Sequence, residues 1–378
     1  MKLFEIVPES TFTFTKFSVA LLCTWPPSGN ASRKEKIIFE LKWWISWINS
    51  ILLVLPVIYT AYVDYRDIVL FTKSLVFFTV CFQITIKMLI CKMMQRQMQY
   101  VLDEMEDYVR NASMDEKRIL LYFTKKCGKV HASLLLGALV TVLGMIMEPL
   151  VLPQPFPAEA KYPFPVNTFP MFGIIYFQHA VTGIQVVCMA AIDCQMAMML
   201  WYIVVRLKIL KERTRKITNA YEFSMCVRQH QYLLRFADEV THIVRYISLT
   251  TVSMTTMAII MSGIHIVGNQ PMVVKVQFIF TVSVCSTLVF MNAWPSEILI
   301  KSCEDIGNAI YNSKWGGNSA DRGIVLVILR SSKPVVVTIT GFLPILSLNY
   351  YAKFLSKTFS FFTTVRILLA KMESSVAS

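Results

Sequence analysis

The residues able to do chemistry in this chain are few, and most of them interrupt apolar runs. Lys87 and Asp193 sit among aliphatic and aromatic residues, and a charge at membrane depth costs about 2.5–3.5 kcal/mol on insertion scales. Such groups persist where they pair, so Lys87 and Asp193 are expected to meet each other or a polar neighbour and hold one helix against another. Further on, Lys353, Lys357, Ser360 and Thr364 recur every three or four residues. That spacing puts them on one helical face, where they would line a polar path; the alternative is that the hydroxyls bond their own helix. His131, His179, His230, His242 and His265 are scattered without metal spacing, and neither a Gly-rich phosphate loop nor a nucleophile motif occurs. No catalytic residue, metal site or cofactor is expected, and the chain does not read as an enzyme.

The elements that position these residues follow from composition. With 378 residues, 55% hydrophobic and only 16% charged, the chain has too little polar surface to cover a soluble globule. The net charge of +13 falls between apolar runs rather than in a basic stripe, so it reads as topology and not as nucleic-acid binding. A crossing needs about 20 apolar residues. Seven stretches qualify: 43–62, 70–91, 132–152, 172–204, 246–267, 276–295 and 335–369. Nothing alternates with period two, so helix is the expected state.

Most of the 37 lysines and arginines lie in 1–42, 92–130, 206–245 and 301–333, alternating with barer loops. By the positive-inside rule this predicts a cytoplasmic N-terminus and an extracellular C-terminus. The triplets Asn30-Ala31-Ser32 and Asn111-Ala112-Ser113 then face the cytoplasm and are expected to stay unglycosylated. Phe17 to Cys23 is too short for a signal peptide, so no cleavage is expected. The nine cysteines fall in spans or on the reducing side and are expected to be free. Segments 95–125 and 208–243 mix charged and apolar residues at helical spacing and are expected to extend the spans as a packed bundle. Between Pro149 and Pro170 seven prolines forbid regular helix and favour an extended lid.

The C-terminal quarter carries the most specific pattern. Ala309-Ile310-Tyr311-Asn312-Ser313-x-Trp315, Arg330-Ser331-Ser332-Lys333-Pro334, Thr338-x-x-Gly341-Phe342-x-Pro344 and Ser347-Leu348 resemble the signature of insect odorant receptors. His230-Gln231-x-Leu233-Leu234-Arg235-Phe236-x-Asp238-Glu239 and Ala191-x-Asp193 are similar to that family's segments upstream. The tail signature of the related gustatory receptors is absent. A G-protein-type receptor is disfavoured by the charge asymmetry and by the lack of Asp-Arg-Tyr and Asn-Pro-x-x-Tyr. A transporter would show broken helices in both halves.

The resemblance implies an all-α polytopic membrane protein with seven transmembrane helices whose seventh element is split. It divides the chain into a cytoplasmic N-terminal segment 1–42, a six-helix ligand-binding domain 43–300, an anchor segment 301–333, and a pore helix with tail 334–378. It also implies a ligand-gated, non-selective cation channel: a heterotetramer with the shared co-receptor Orco, in the plasma membrane of olfactory sensory neurons, opened by a small volatile odorant or pheromone. The family's pocket lies in the outer halves of spans two, three, four and six. Here that gives Ser74, Phe77 and Phe78; Thr141, Gly144 and Met145; Tyr176, Phe177, His179 and Ala180; and Phe278 and Thr281. Lys353, Lys357, Ser360, Thr363 and Thr364 would line the pore, with Thr363 to Val365 at the gate. Tyr311, Trp315, Arg330, Lys333 and Pro334 would anchor neighbouring subunits.

Overall fold

The structure is a computed structural model that describes residues 8–29, 31–151, 154–158, 160–166, 168–312, 327, 330–331 and 333–377. Among the described residues nine α-helices have full bounds, in chain order: α1 Pro8–Ser18, α2 Arg33–Val63, α3 Ile68–Met93, α4 Gln95–Asn111, α5 Met114–Met147, α6 Met171–Thr214, α7 Ala220–Val267, α8 Met272–Tyr311 and α9 Leu348–Ala377. Among the described residues the only β feature is a single bridge between Ile339 and Leu343.

Local chemistry sets many of the boundaries. Ser32 and Ser113 each cap a helix, accepting the backbone N–H of Glu35 and Glu116, whose carboxylates return to the cap N–H. The serine of each glycosylation-like triplet is therefore a helix cap. Asp67 accepts from Val69 and Leu70 to begin α3, and Asn219 accepts from Glu222 to begin α7.

Six helices, α2, α3, α5, α6, α7 and α8, are long and apolar enough to cross a membrane. Three of them, α6, α7 and α8, have 40 residues or more, about twice what one crossing needs. α6 has 44 residues, hence ~66 Å at the usual rise, against an apolar bilayer core of ~30 Å. α6 is the axis of the bundle: every residue from Cys188 to Leu207 is buried, as its apolar character on all sides requires. α5, α7 and α8 pack along it, and α2 leans on α3.

At the end rich in Lys and Arg, here the basic end, α4 and the lower halves of α5 to α8 form one packed bundle roofed by α1. Its continuous core includes Met98, Met105, Leu120, Phe123, Trp201, Leu233 and Ile306. The Arg206 guanidinium lies 3.8 Å over the Tyr108 ring and donates to Tyr202 Oη at 2.5 Å. Burial pushes the Tyr108 phenol up to about 12 against the opposing pull of Arg206. The expectation that 95–125 and 208–243 extend the spans into a bundle holds.

The helix expected as the seventh span begins later than its apolar run suggested. Residues 335–347 are not helical: Val335, Val337, Leu343 and Leu346 turn into the core, and the Leu346 N–H donates to the Val337 carbonyl at 2.9 Å. Gly341 makes the reversal with φ of 83°, a backbone setting that favours glycine. Helix resumes at Leu348, where Ser347 Oγ accepts the Tyr350 N–H at 3.1 Å. α9 then packs on α7 and α8, and Phe362 seats so closely on Gly263 that a Cβ there would lie 2.3 Å from its ring.

Candidate functional site

A cavity of about 100 Å³ opens where α3, α5, α6, α7 and α8 diverge toward the proline-rich loop. Its walls are apolar side chains such as Val76, Val80, Ala138, Val142, Val186 and Leu288, with Ala158 contributed by the loop. A cavity of ~150 Å³ in another protein holds a benzene-sized molecule, so this space suits a small ligand bound mainly by apolar contact.

Of the residues expected to meet a ligand, Phe77, Thr141, Met145, Phe278 and Thr281 line this cavity together. The others do not. Ser74 is buried but bonds back to the Leu70 carbonyl. Phe78 packs beside Leu53 and Val57 and stacks on Phe82 at 5.3 Å. Gly144 faces open space, Ala180 is half-buried outside the lining, and Phe177 is 71% exposed on the bundle exterior. Tyr176 gives its hydroxyl to the Ile146 carbonyl at 2.8 Å.

His179, expected to orient a ligand, is committed to the loop. Its Nδ1 accepts the Ala158 N–H at 3.4 Å, and Nε2 lies 2.9 Å from Tyr162 Oη. An N–H can only donate, so the neutral ring carries its proton on Nε2 and gives it to the phenol oxygen. Phe156 stacks on Phe172 at 5.3 Å beside this imidazole. Lys161 donates its N–H to Thr60 at 2.6 Å and pairs with Asp64 at 2.5 Å. The irregular loop is thus a fitted roof, with Phe156 and Ala158 buried.

Two buried ion pairs flank the cavity along α3. Toward the basic end, Lys87 Nζ meets Asp193 Oδ2 at 2.5 Å with both side chains wholly enclosed. The other carboxylate oxygen accepts Thr251 Oγ1 at 2.7 Å and Asn292 Nδ2 at 3.0 Å. One carboxylate therefore ties α3, α6, α7 and α8, and the expected pairing of Lys87 with Asp193 is present. Toward the loop, Lys73 Nζ meets Glu148 Oε1 and Gln154 Oε1, each at 3.3 Å, while Gln277 donates to Glu148 Oε2 at 3.2 Å. Sequence reasoning missed this second network. The available signal was a glutamate at the end of an apolar run, just before Pro149.

The C-terminal helix presents a different surface. Lys353 and Lys357 line an open groove with Thr256, Ile260, Pro344 and Tyr350. Ser360, Thr363 and Thr364 are exposed, and both threonines donate to the Ser360 carbonyl at 2.7 and 3.0 Å. Their hydroxyl protons thus serve their own helix. The Val365 side chain lies outside the described residues. Of the expected anchor residues, Tyr311 ends α8 and is exposed, Arg330 donates to the Lys333 carbonyl at 2.7 Å, and Pro334 is half-buried. Trp315 and most of 313–332 lie outside the described residues. All nine cysteines are free.

Apolar spans, a roofed cavity at one end and a packed bundle at the other define the class: an all-helical polytopic membrane protein. The family model of the 7tm odorant receptors matches residues 67–359, and the chain belongs to that insect receptor family rather than to any class of enzyme. The Drosophila melanogaster protein Odorant receptor 67c is 26% identical over 207 residues. That match covers 52% of this chain, which spans about half the length of this curated relative. The insect olfactory receptor OR5 from Machilis hrabei has the same fold, with a TM-score of 0.80 at 14% identity over 95% of this chain and 98% of its own. The same receptor in complex with eugenol superposes with a TM-score of 0.82 over 96% and 99% of the two chains, also at 14% identity.

Proposed function

We propose that this chain is the odorant-binding subunit of a ligand-gated, non-selective cation channel that assembles with the co-receptor Orco as a heterotetramer in the plasma membrane of olfactory sensory neurons. The carrying observation is the roofed apolar cavity in a member of the odorant receptor family. Eugenol, bound by the structural neighbour, is a small, mainly apolar molecule, the chemical class that a pocket lined in this way would capture. The topology in this reading places the basic end in the cytoplasm and the loop end outside. Residues 301–333 act as the anchor between subunits, and 334–378 supply the pore helix and tail. Lys353 and Lys357 would face a wide vestibule where water solvates them, with Ser360, Thr363 and Thr364 closer to the constriction.

Expression with and without the co-receptor, recording current evoked by a panel of volatile ligands, tests the reading. Rapid cation current only in the paired cells is expected, and Thr281→Trp, which fills the cavity, should abolish it without reducing surface delivery. A slow response that requires a G protein would overturn the channel mechanism.

A further inference from the structure

We infer that the Gln83 carboxamide is the polar recognition point of the cavity, and that the preferred ligand is a small apolar molecule carrying one hydrogen-bond acceptor such as a ketone, ester or ether oxygen. The inference rests on reading this cavity as the ligand site. Gln83 lies on α3 in the cavity wall, is 3% exposed, and its Nε2 is buried with no hydrogen-bond partner. A buried amide N–H left without an acceptor is costly, so native structures seldom keep one without a use.

The hydroxyl protons around the cavity are already engaged. Thr141 and Thr281 give their hydroxyl protons to the carbonyls of Gly137 and Gln277 at 2.9 and 3.0 Å. Thr182 donates to the Gln178 carbonyl and accepts from Asn49. Gln277 is held by Glu148 at 3.2 Å. As donors, what remains besides Gln83 is the second Gln277 N–H and the weakly bonding thiols of Cys81 and Cys285, in a lining otherwise of hydrocarbon, aromatic rings and hydroxyl oxygens that can only accept. The unpartnered Nε2–H favours a ligand that brings an acceptor to it, with the amide oxygen beside it able to take at most a weak donor of the same ligand, because a pure hydrocarbon leaves the amide orphaned and a polyol would bring more hydroxyls than the chamber can satisfy.

The test uses the purified full-length chain in detergent, with methyl butyl ketone and hexane as matched probes whose apparent Kd values are read from ligand-induced thermal shifts. Gln83→Leu preserves approximate size and removes the donor. It is expected to weaken the ketone about tenfold, the scale of one neutral hydrogen bond, while leaving hexane unchanged. Gln83→Met repeats the measurement should the leucine variant fail to fold. Equal weakening of both probes, or no change in either, would overturn the assignment and fit a packing role or a trapped water on the amide. Thr281→Trp separates the underlying reading: if filling the cavity leaves both Kd values as they were, the probes bind elsewhere and the site itself is refuted.

Discussion

The two ion pairs on α3 sit 14 residues apart, ~21 Å along the helix, and they are built for different work. Lys87–Asp193 is wholly enclosed, its carboxylate accepts three donors, and the four helices it joins have no route to rearrange without stranding a charge. Lys73–Glu148 is nearly as buried, at 7% and 3% side-chain exposure, but its partners include Gln154 of the loop and Gln277 of the cavity wall. The first pair fixes a frame around which α6 is packed on every side. The second connects the roof to the chamber beneath it, so a ligand that shifts Gln277 acts directly on the residues that hold the loop.

The frame should fail first and hardest. Asp193→Ala leaves the Lys87 ammonium without solvent or counter-charge, and breaking such a pair costs about 3–5 kcal/mol. Melting of the full chain in detergent should drop sharply and surface delivery should be lost, whereas the double replacement Lys87→Met with Asp193→Leu should recover much of the loss. A single variant that melts like the parent would remove the distinction between the two pairs. Glu148→Gln keeps an acceptor for Lys73 and shape for Gln277, so its cost should stay within about 1.5–3 kcal/mol, the scale of hydrogen bonds to charged groups. The damage should be local: faster hydrogen exchange across 154–166 and faster ligand release, with the basic-end bundle unchanged. Protection lost equally at both ends would show that the two pairs form one cooperative unit.

The frame was legible in the sequence, and of the roof only its irregular, lid-like character was. Lys87 and Asp193 stood out because a charge inside an apolar run has few affordable states, and pairing is the commonest. The helical stretches followed from run length, although hydropathy alone ran the last span through Val335 to Leu346. Those residues are apolar because they bury against the bundle as irregular chain, a distinction that composition does not carry. At the cavity, five of the positions that the resemblance implied, Phe77, Thr141, Met145, Phe278 and Thr281, share one lining, but placement in a span does not give the direction a side chain faces. Phe177 and His179 are two residues apart on α6, and one is outside while the other is sealed under the loop. Which proline-loop residue would reach His179 depends on a fold-back over 154–166 that no periodicity announces.

The hydrogen bond between His179 and Tyr162 gives the finest probe of the roof. Burial raises the Tyr162 phenol to about 12 from an ordinary 10, so the folded protein holds this proton through a range in which the unfolded chain releases it. The contribution is fully present below pH 10 and is lost as pH rises from there toward 12, which makes the loop insensitive to pH at physiological values. Tyr162→Phe removes the hydroxyl that receives the His179 proton, at a cost of about 1 kcal/mol near neutral pH. It also removes the titrating group. Thermal melts of the parent and variant at neutral pH and at pH 11 should therefore show the variant less stable at the first and the gap narrowed or reversed at the second. An unchanged gap would mean that Tyr162 is not buried in the working receptor, and that the roof over the cavity is looser than the frame by more than one hydrogen bond.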